Sequence, residues 1–451
     1  MSLLQAEWLR FIRNPVNLWV IAAFFTLLAA SAIWSGLAAS EFRAKALQPQ
    51  HQTGNSQVPT EMHDAPGTGK GSYASKLADN TTVRLPALGG LALSVRQMDL
   101  LGSELRISTR SRYTDGRNSD QLFNPLLREL GLLDFASILA LFLPLTVIAL
   151  TYGLVQEDRE RGVWRLVCAQ MPHPSLLVFA ALAVRLVMVL IPALAASLLA
   201  FMLDSGSTLY AATHWLFFVG IFTGVWITIS GLFLLLPVSS GAVAVGLLGM
   251  WLVTTFAVPA GLSWGANGMQ PMPSRLEAIV DIRRVQAQTS KQQAELLSTW
   301  YQAHPETAPA KEPPREIAGL PANLELDSKV RTLMYRFDGV RKAHFEFMER
   351  WSAFSPGLAV VLTADRLAGI DAPRYAEYIE AVNQFEDRWR AFFVPRVMGK
   401  QSMAPSDYQQ LPVVKSLPTA ETVWTVILRQ LLLGVFLLLV LITLRNRFGR
   451  P

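Results

Sequence analysis

The sequence predicts an α-helical polytopic membrane protein, with six transmembrane helices and mostly helical extracytoplasmic insertions. Three observations predict it. First, 51% of the 451 residues are hydrophobic and only 16% are charged, against about 25% charged in soluble domains; mean hydropathy is +0.30. Second, several long stretches carry almost no charge, and each reaches the roughly 20 residues that cross a bilayer. Third, basic residues gather in short flanks separated by long polar segments, the pattern that sets orientation in a membrane. The net charge of +6 comes without a basic run or an aromatic-interleaved patch, so no nucleic-acid partner is expected. The single cysteine, Cys168, excludes an intramolecular disulfide framework and a thiolate zinc cluster.

Residues 1–14 place Leu4, Trp8, Phe11 and Ile12 opposite Glu7, Arg10 and Arg13, an amphipathic helix lying on the cytoplasmic face. The first span covers 15–40. Its apolar run is too long for a signal-peptide core, and no small-residue cleavage motif follows. Further spans are predicted at 132–155 and 175–203. The uncharged run 215–272 is too long for one crossing, and Pro237-Val-Ser-Ser-Gly241 interrupts it with a helix breaker and small residues. That gives spans at 209–236 and 241–261, with the last at 423–444. An even count puts both termini on one side. Arg10 and Arg13, Arg159, Arg161 and Arg165, and Arg445, Arg447 and Arg450 make that side the cytoplasm. The loop 156–174 and the tail 445–451 are then cytoplasmic, and 41–131 and 262–420 are exterior.

The first exterior segment opens with a Gly/Ser/Thr/Pro/Gln-rich tether at 48–82. Beyond it, Leu91-Ala-Leu-Ser-Val95 and Glu104-Leu-Arg-Ile-Ser108 alternate as short strands do. In the second segment, 275–301, 326–354 and 374–393 carry apolar residues at three- and four-residue steps, predicting a small exterior helical bundle.

Catalytic chemistry finds little support. Gly67-Thr-Gly-Lys-Gly-Ser72 superficially resembles a phosphate loop, but Asp64 and Gly71 stand where that motif requires Gly and Ser or Thr. It reads as linker, so no ATPase site and no bound cofactor are expected in this chain. The histidines at 51, 63, 173, 214, 304 and 344 have no metal-ligand spacing; His214 reads as a packed or interfacial residue. No nucleophile–base pair can be assembled, so the chain is read as a non-enzyme. Arg185 and Arg429 are intramembrane charges, which are functional candidates by default. Each either lines a substrate path, makes a helix contact, or snorkels to the headgroups. In the loop 156–174, mixed charges give way to an amphipathic turn with Val163, Trp164 and Leu166, ended by Pro172. Those apolar residues offer a docking face for a partner, with Gly162 allowing close backbone approach or a tight turn.

The order of amphipathic start, long exterior loop, span, Glu157, Gly162, Pro172 and Arg185 resembles permeases of the type-2 ABC exporter class. The stretches Asn124-Pro125, Leu132-Leu-Asp134, Leu143-Pro-Leu145, Phe354-Ser-Pro356, Leu367-Ala-Gly369 and Arg388-Trp-Arg-Ala-Phe-Phe-Val-Pro-Arg396 resemble a branch whose large extracytoplasmic domain has no assigned function. The resemblance implies a multi-pass permease subunit of the bacterial inner membrane, paired with a second copy or a sister permease. A separate cytoplasmic ABC ATPase, binding ATP and Mg2+, would engage Glu157, Arg161, Gly162, Trp164 and Pro172 and drive transport of a substrate. The two large insertions also admit an alternative, a membrane-anchored exterior scaffold or mechanotransmission subunit that recruits an extracytoplasmic protein partner. Orientation has a direct check: a cysteine introduced at Ser402 should label in intact cells, and labelling only after permeabilisation would reverse the topology.

Overall fold

The computed structural model describes residues 3–47, 81–100, 104–109, 134–307, 315–399, 403, 407, 409–414 and 423–449. Most of the tether, the Gly67–Ser72 stretch, His51, His63 and Asn124-Pro125 lie outside the described residues.

Helix α1 (Leu3–Arg13) precedes α2 (Pro15–Leu47), which Pro15 starts at a position needing no N–H. A two-stranded antiparallel sheet pairs β1 (Thr81–Arg84) with β2 (Glu104–Ile107), Thr81 opposite Ile107 and Arg84 opposite Glu104; the short helix α3 (Val95–Leu100) lies between them in sequence. Next come α4 (Phe135–Thr151), α5 (Gln156–Glu160), α6 (Val163–Gln170), α7 (Pro174–Leu203) and α8 (Leu209–Phe233). The fifth long apolar helix, α9, runs Ser240–Met269. Then follow α10 (Arg275–Lys291), α11 (Gln293–Ala303), α12 (Arg315–Ala318), α13 (Leu320–Trp351), α14 (Pro356–Ala368), α15 (Ala372–Met398) and α16 (Trp424–Thr443).

Six of these helices are long and apolar enough to cross a membrane. The chain is therefore a multi-pass α-helical membrane protein. Their ends differ from the sequence-based boundaries. The first runs past residue 40 to Leu47, the second is regular only over Phe135–Thr151, and the fourth stops at Phe233. The fifth runs to Met269, eight residues into the segment expected to be exterior. Pro259 lacks the N–H that would bond back to Thr255, and the backbone there widens into a π turn at Val253–Ala257. There the Val258 N–H reaches Val253 O, so the helix absorbs a proline instead of ending at it.

In α4 and α8, 56% of the most apolar window is buried inside the protein, against 11% in α9. The second and fourth spans are thus central and the fifth peripheral. Helix α2 packs closely on α7, and the small residues Ala32 and Ala39 of the one and Ala193, Ala196 and Ala200 of the other are all buried. A Cβ added at Gly36 would sit 2.7 Å from Leu203 Cβ. Between helices in lipid, such close approach replaces the missing hydrophobic drive. Exposed Trp34, Tyr210, Trp264 and Trp424 ring the end of the bundle where the polar insertions attach, as interfacial aromatics do. That end is called the domain end below, and the opposite one, beside α1, the basic end.

The insertions depart from the expected bundle in two ways. Leu91–Leu93 is a 3-10 turn rather than a strand, because Leu91, Ala92 and Leu93 are all buried and offer no polar face. The second strand is present at Glu104–Ile107, but its partner, Thr81–Arg84, straddles the end of the expected tether at residue 82. More consequentially, α14 does not belong to a self-contained exterior domain. Ser355 caps its start by accepting the Leu358 N–H, and Gly369, with φ +78°, ends it. Between them its apolar sequence is buried against α4, α8, α16 and the π turn of α9, at the domain end of the bundle. The other helices are as expected in kind: α10 and α11 pack on α13, and α13 on α15. Buried ions join α13 to α15, with Asp327 2.6 Å from Arg390 and Glu386 2.9 Å from the same guanidinium.

The segment 85–95 straps across this junction. The Leu88 N–H bonds Ala368 O at 3.0 Å, and the Gly90 N–H bonds Leu367 O at 2.9 Å. Arg43 of α2 holds Leu88 O at 2.5 Å and Asp204 at 2.6 Å. A Cβ at Gly90 would fall 2.7 Å from the Leu367 carbonyl. Gly90→Ala should therefore lift the strap at a cost of about 1–3 kcal/mol, and trypsin should cut at Arg84 and Arg96 several-fold faster than in the native protein.

Candidate functional site

The loop at the basic end is a compact joint. Its first half, α5, is held to the neighbouring connection between α8 and α9. Gln156 is fully buried and its amide donates to Leu234 O at 3.1 Å, while Arg159 donates to Leu236 O at 3.2 Å. These carbonyls follow the end of α8, where helix geometry leaves acceptors unused. Glu160 accepts the Ser240 N–H at 2.7 Å and so caps α9, an anion placed at a helix start. Asp158 pairs with Arg10 of α1 at 3.2 Å, and Glu157 with Arg161 at 3.5 Å. Gly162 turns the chain with φ +73°, where no added Cβ would meet a neighbour. Its role is the left-handed backbone rather than close packing.

The second half, α6, corrects one expectation. Trp164 does not belong to an outward docking face. It is 1% exposed, and its indole N–H donates to Phe448 O at 3.1 Å. Phe448 is itself buried and packs edge-on against Phe179 of α7. A large ring with one polar edge is best satisfied by such a pocket with one carbonyl, which the turn Arg445–Gly449 supplies. The surface that remains on α6 is Val163 and Leu166, 43% and 62% exposed, flanked by exposed Arg161, Arg165 and Pro172.

The two intramembrane arginines both make helix contacts. Arg185 is buried, donates from Nε to Leu150 O at 2.6 Å and from Nη1 to Ala181 O at 3.0 Å, and lies 5.8 Å from the Phe11 ring centre. It does not snorkel outward. It satisfies a carbonyl in the last turn of α4 and secures α1 against α7, two elements brought together only by folding. Arg429 sits at the other end, donating to Glu349 O at 2.8 Å. Glu349 also receives Arg366 at 2.6 Å and the Thr425 hydroxyl at 3.0 Å, so α13, α14 and α16 meet in one ionic knot. Glu349 and Arg366 escaped sequence reasoning, because charges on amphipathic exterior helices read as solvated faces. His214 packs against Tyr210 and Trp424, with ring centres 4.0 and 4.9 Å away. Among the described residues, no group of three or more His, Cys, Asp or Glu is arranged to hold a metal ion.

The fold and these joints define a helical multi-pass membrane protein whose polar insertions are built into its spans. A family described as "Domain of unknown function (DUF3526)" matches residues 275–414, from α10 to just beyond α15 and less than a third of the chain. Comparison with curated proteins and with solved structures gives no match.

The buried Trp164 has a measurable consequence. Trp164→Ala should cost about 3–5 kcal/mol and free the turn Arg445–Gly449, exposing Arg445 and Arg447 to trypsin. Trp164→Phe, which keeps most of the ring but loses the indole hydrogen bond, should cost about 1 kcal/mol and leave the turn largely protected.

Proposed function

We propose that this chain is the permease subunit of a type-2 ABC exporter, driven by a separate cytoplasmic ATPase. The observation that carries the proposal is the joint α5–Gly162–α6. It presents an apolar patch of Val163 and Leu166 to solvent while being tied to α1, to the start of α9, to the end of α8 and to the C-terminal turn. A push on that patch would reach four other parts of the chain through side chains with few soft connections. The motif order Glu157, Gly162, Pro172, Arg185 supports the same reading. In it, the basic end faces the cytoplasm of a bacterium and the chain sits in the inner membrane. ATP and Mg2+ belong to the partner ATPase, and a second copy or sister permease completes the path.

The scaffold reading has its own observation in favour. Helix α14 couples the exterior helices directly to the spans, as a subunit transmitting force to or from an exterior protein would require. The two readings differ in whether a separate ATPase engages the chain and in whether a substrate crosses.

The joint itself can be tested without knowing the cargo. Fully burying the side chain of a residue such as Leu166 is worth about 2 kcal/mol, close to thirtyfold in affinity. Val163→Asp with Leu166→Asp should thus weaken ATPase copurification by about that factor at equal membrane abundance, with the turn at Arg445–Gly449 still protected from trypsin. Native copurification and ATP turnover in this double variant would defeat the coupling role.

A further inference from the structure

At the domain end, the strap 85–95 and helix α14 meet around a carboxyl group that no cation among the described residues neutralises. The Ser94 hydroxyl donates to Asp365 Oδ1 at 2.6 Å, a buried contact between the two exterior insertions. The charged groups on the elements around it are otherwise engaged. On α2, Arg43 holds Asp204. Asp134, at the start of α4, accepts the Arg96 N–H at 3.1 Å, and the Arg96 guanidinium lies over the Trp34 ring. Arg366, next to Asp365 on α14, turns to Glu349 of α13, which also takes Arg429 of α16. Asp371, at the cap before α15, lies 3.9 Å from Arg366, and Arg374 of α15 donates to Pro86 O at 3.3 Å. Helix α8 carries His214, whose ring packs against Tyr210 and Trp424, and no carboxylate, lysine or arginine; the π turn of α9 has no titratable side chain. Among the described residues, none of these cations forms an ion pair with Asp365.

We propose that the strap and α14 form a proton-operated latch: a protonated Asp365 holds the strap docked beside Ser94, and ionisation of Asp365 releases it. Docking excludes water from a lone carboxylate, which is costly unless the group takes up a proton. Burial accordingly pushes Asp365 up from 3.8 to about 7, while the Ser94 hydrogen bond works in the opposite direction. With the strap lifted, water reaches the group and its affinity for protons returns toward the ordinary value. The docked state therefore binds the extra proton, and docking is tightest at low pH. It weakens as pH rises through the window from the ordinary carboxylate value to about 7, and is constant above that. Because α14 is wedged between α4, α8 and α16, releasing its strap loosens the seal on the domain end of the bundle.

The test uses the full-length protein in lipid nanodiscs, with amide hydrogen exchange of peptides covering 86–95 read from pH 5 to 8 and corrected for the intrinsic pH dependence of exchange. Native protection should fall by up to about tenfold per pH unit until near pH 7 and then level off. Asp365→Asn, isosteric and uncharged, should stay protected with no slope. Ser94→Ala removes the hydrogen bond that favours the charged form, so its fall should continue to higher pH. A flat native profile, an equal slope in Asp365→Asn, or the same slope in peptides of α2 and α9 would each overturn the latch. Should Asp365→Asn fail to fold, an unshifted midpoint in Ser94→Ala would overturn it as well. Neither ATPase nor cargo enters the measurement, so its outcome is separate from that of the permease reading.

Discussion

A bilayer interior supplies no hydrogen bonds, so every backbone polar group at membrane depth must find its partner inside the protein. The structure of this chain depends on that constraint. Arg185 satisfies a carbonyl of α4, the π turn in α9 takes in Pro259 without breaking the helix, and Gln156 and Arg159 close the carbonyls beyond α8. In each case the satisfying group comes from elsewhere in the fold or from a local widening of the helix. The same bonds that pay for burial also fix how the spans are arranged.

At the domain end the constraint gives an unusual junction. Helix α14 is too short to cross a membrane yet too apolar to lie in water, and it is buried against the outer parts of the central spans. Its two charged side chains lie near its end, where Arg366 joins the knot of Glu349, Thr425 and Arg429 and Asp365 meets Ser94. The family-matched region therefore shares one core with the membrane bundle instead of hanging from it, and the strap 85–95 sews the first insertion into the same seam. The helices of that region are thus joined to α4 and α8 with no flexible linker between them.

At the basic end the corresponding element is the joint α5–α6. Its charges are used mainly for anchoring: Asp158 to α1 and Glu160 to the start of α9. Its largest aromatic side chain is spent on the C-terminal turn. What remains outward is small and apolar, Val163 and Leu166, a patch that hydrophobic burial favours covering. The two ends share one design: a short helix, held by side chains from several spans, at a place where the chain would otherwise be a plain connection.

The sequence by itself determined the six apolar helices, because twenty uncharged apolar residues have no other low-energy place and the helix satisfies its backbone within one segment. It also determined the helical character of 275–301, 326–354 and 374–393, where periodicity is strong; at Gly162 it admitted a close backbone approach or a tight turn, and the φ of +73° decides for the turn. Only the tertiary structure decided where Trp164 points, since an indole on an amphipathic turn suits a partner's surface or its own chain equally well, and the choice rests with Phe448, 284 residues away. The same holds for Arg185 and Arg429, whose carbonyl acceptors lie 35 and 80 residues distant. Leu91–Leu93 looked like a strand because local alternation carries no information about burial on both faces. Helix α14 was hidden for a related reason. Its thirteen residues are too few for a span, and only folding against α4, α8 and α16 supplies the apolar surroundings that its composition requires.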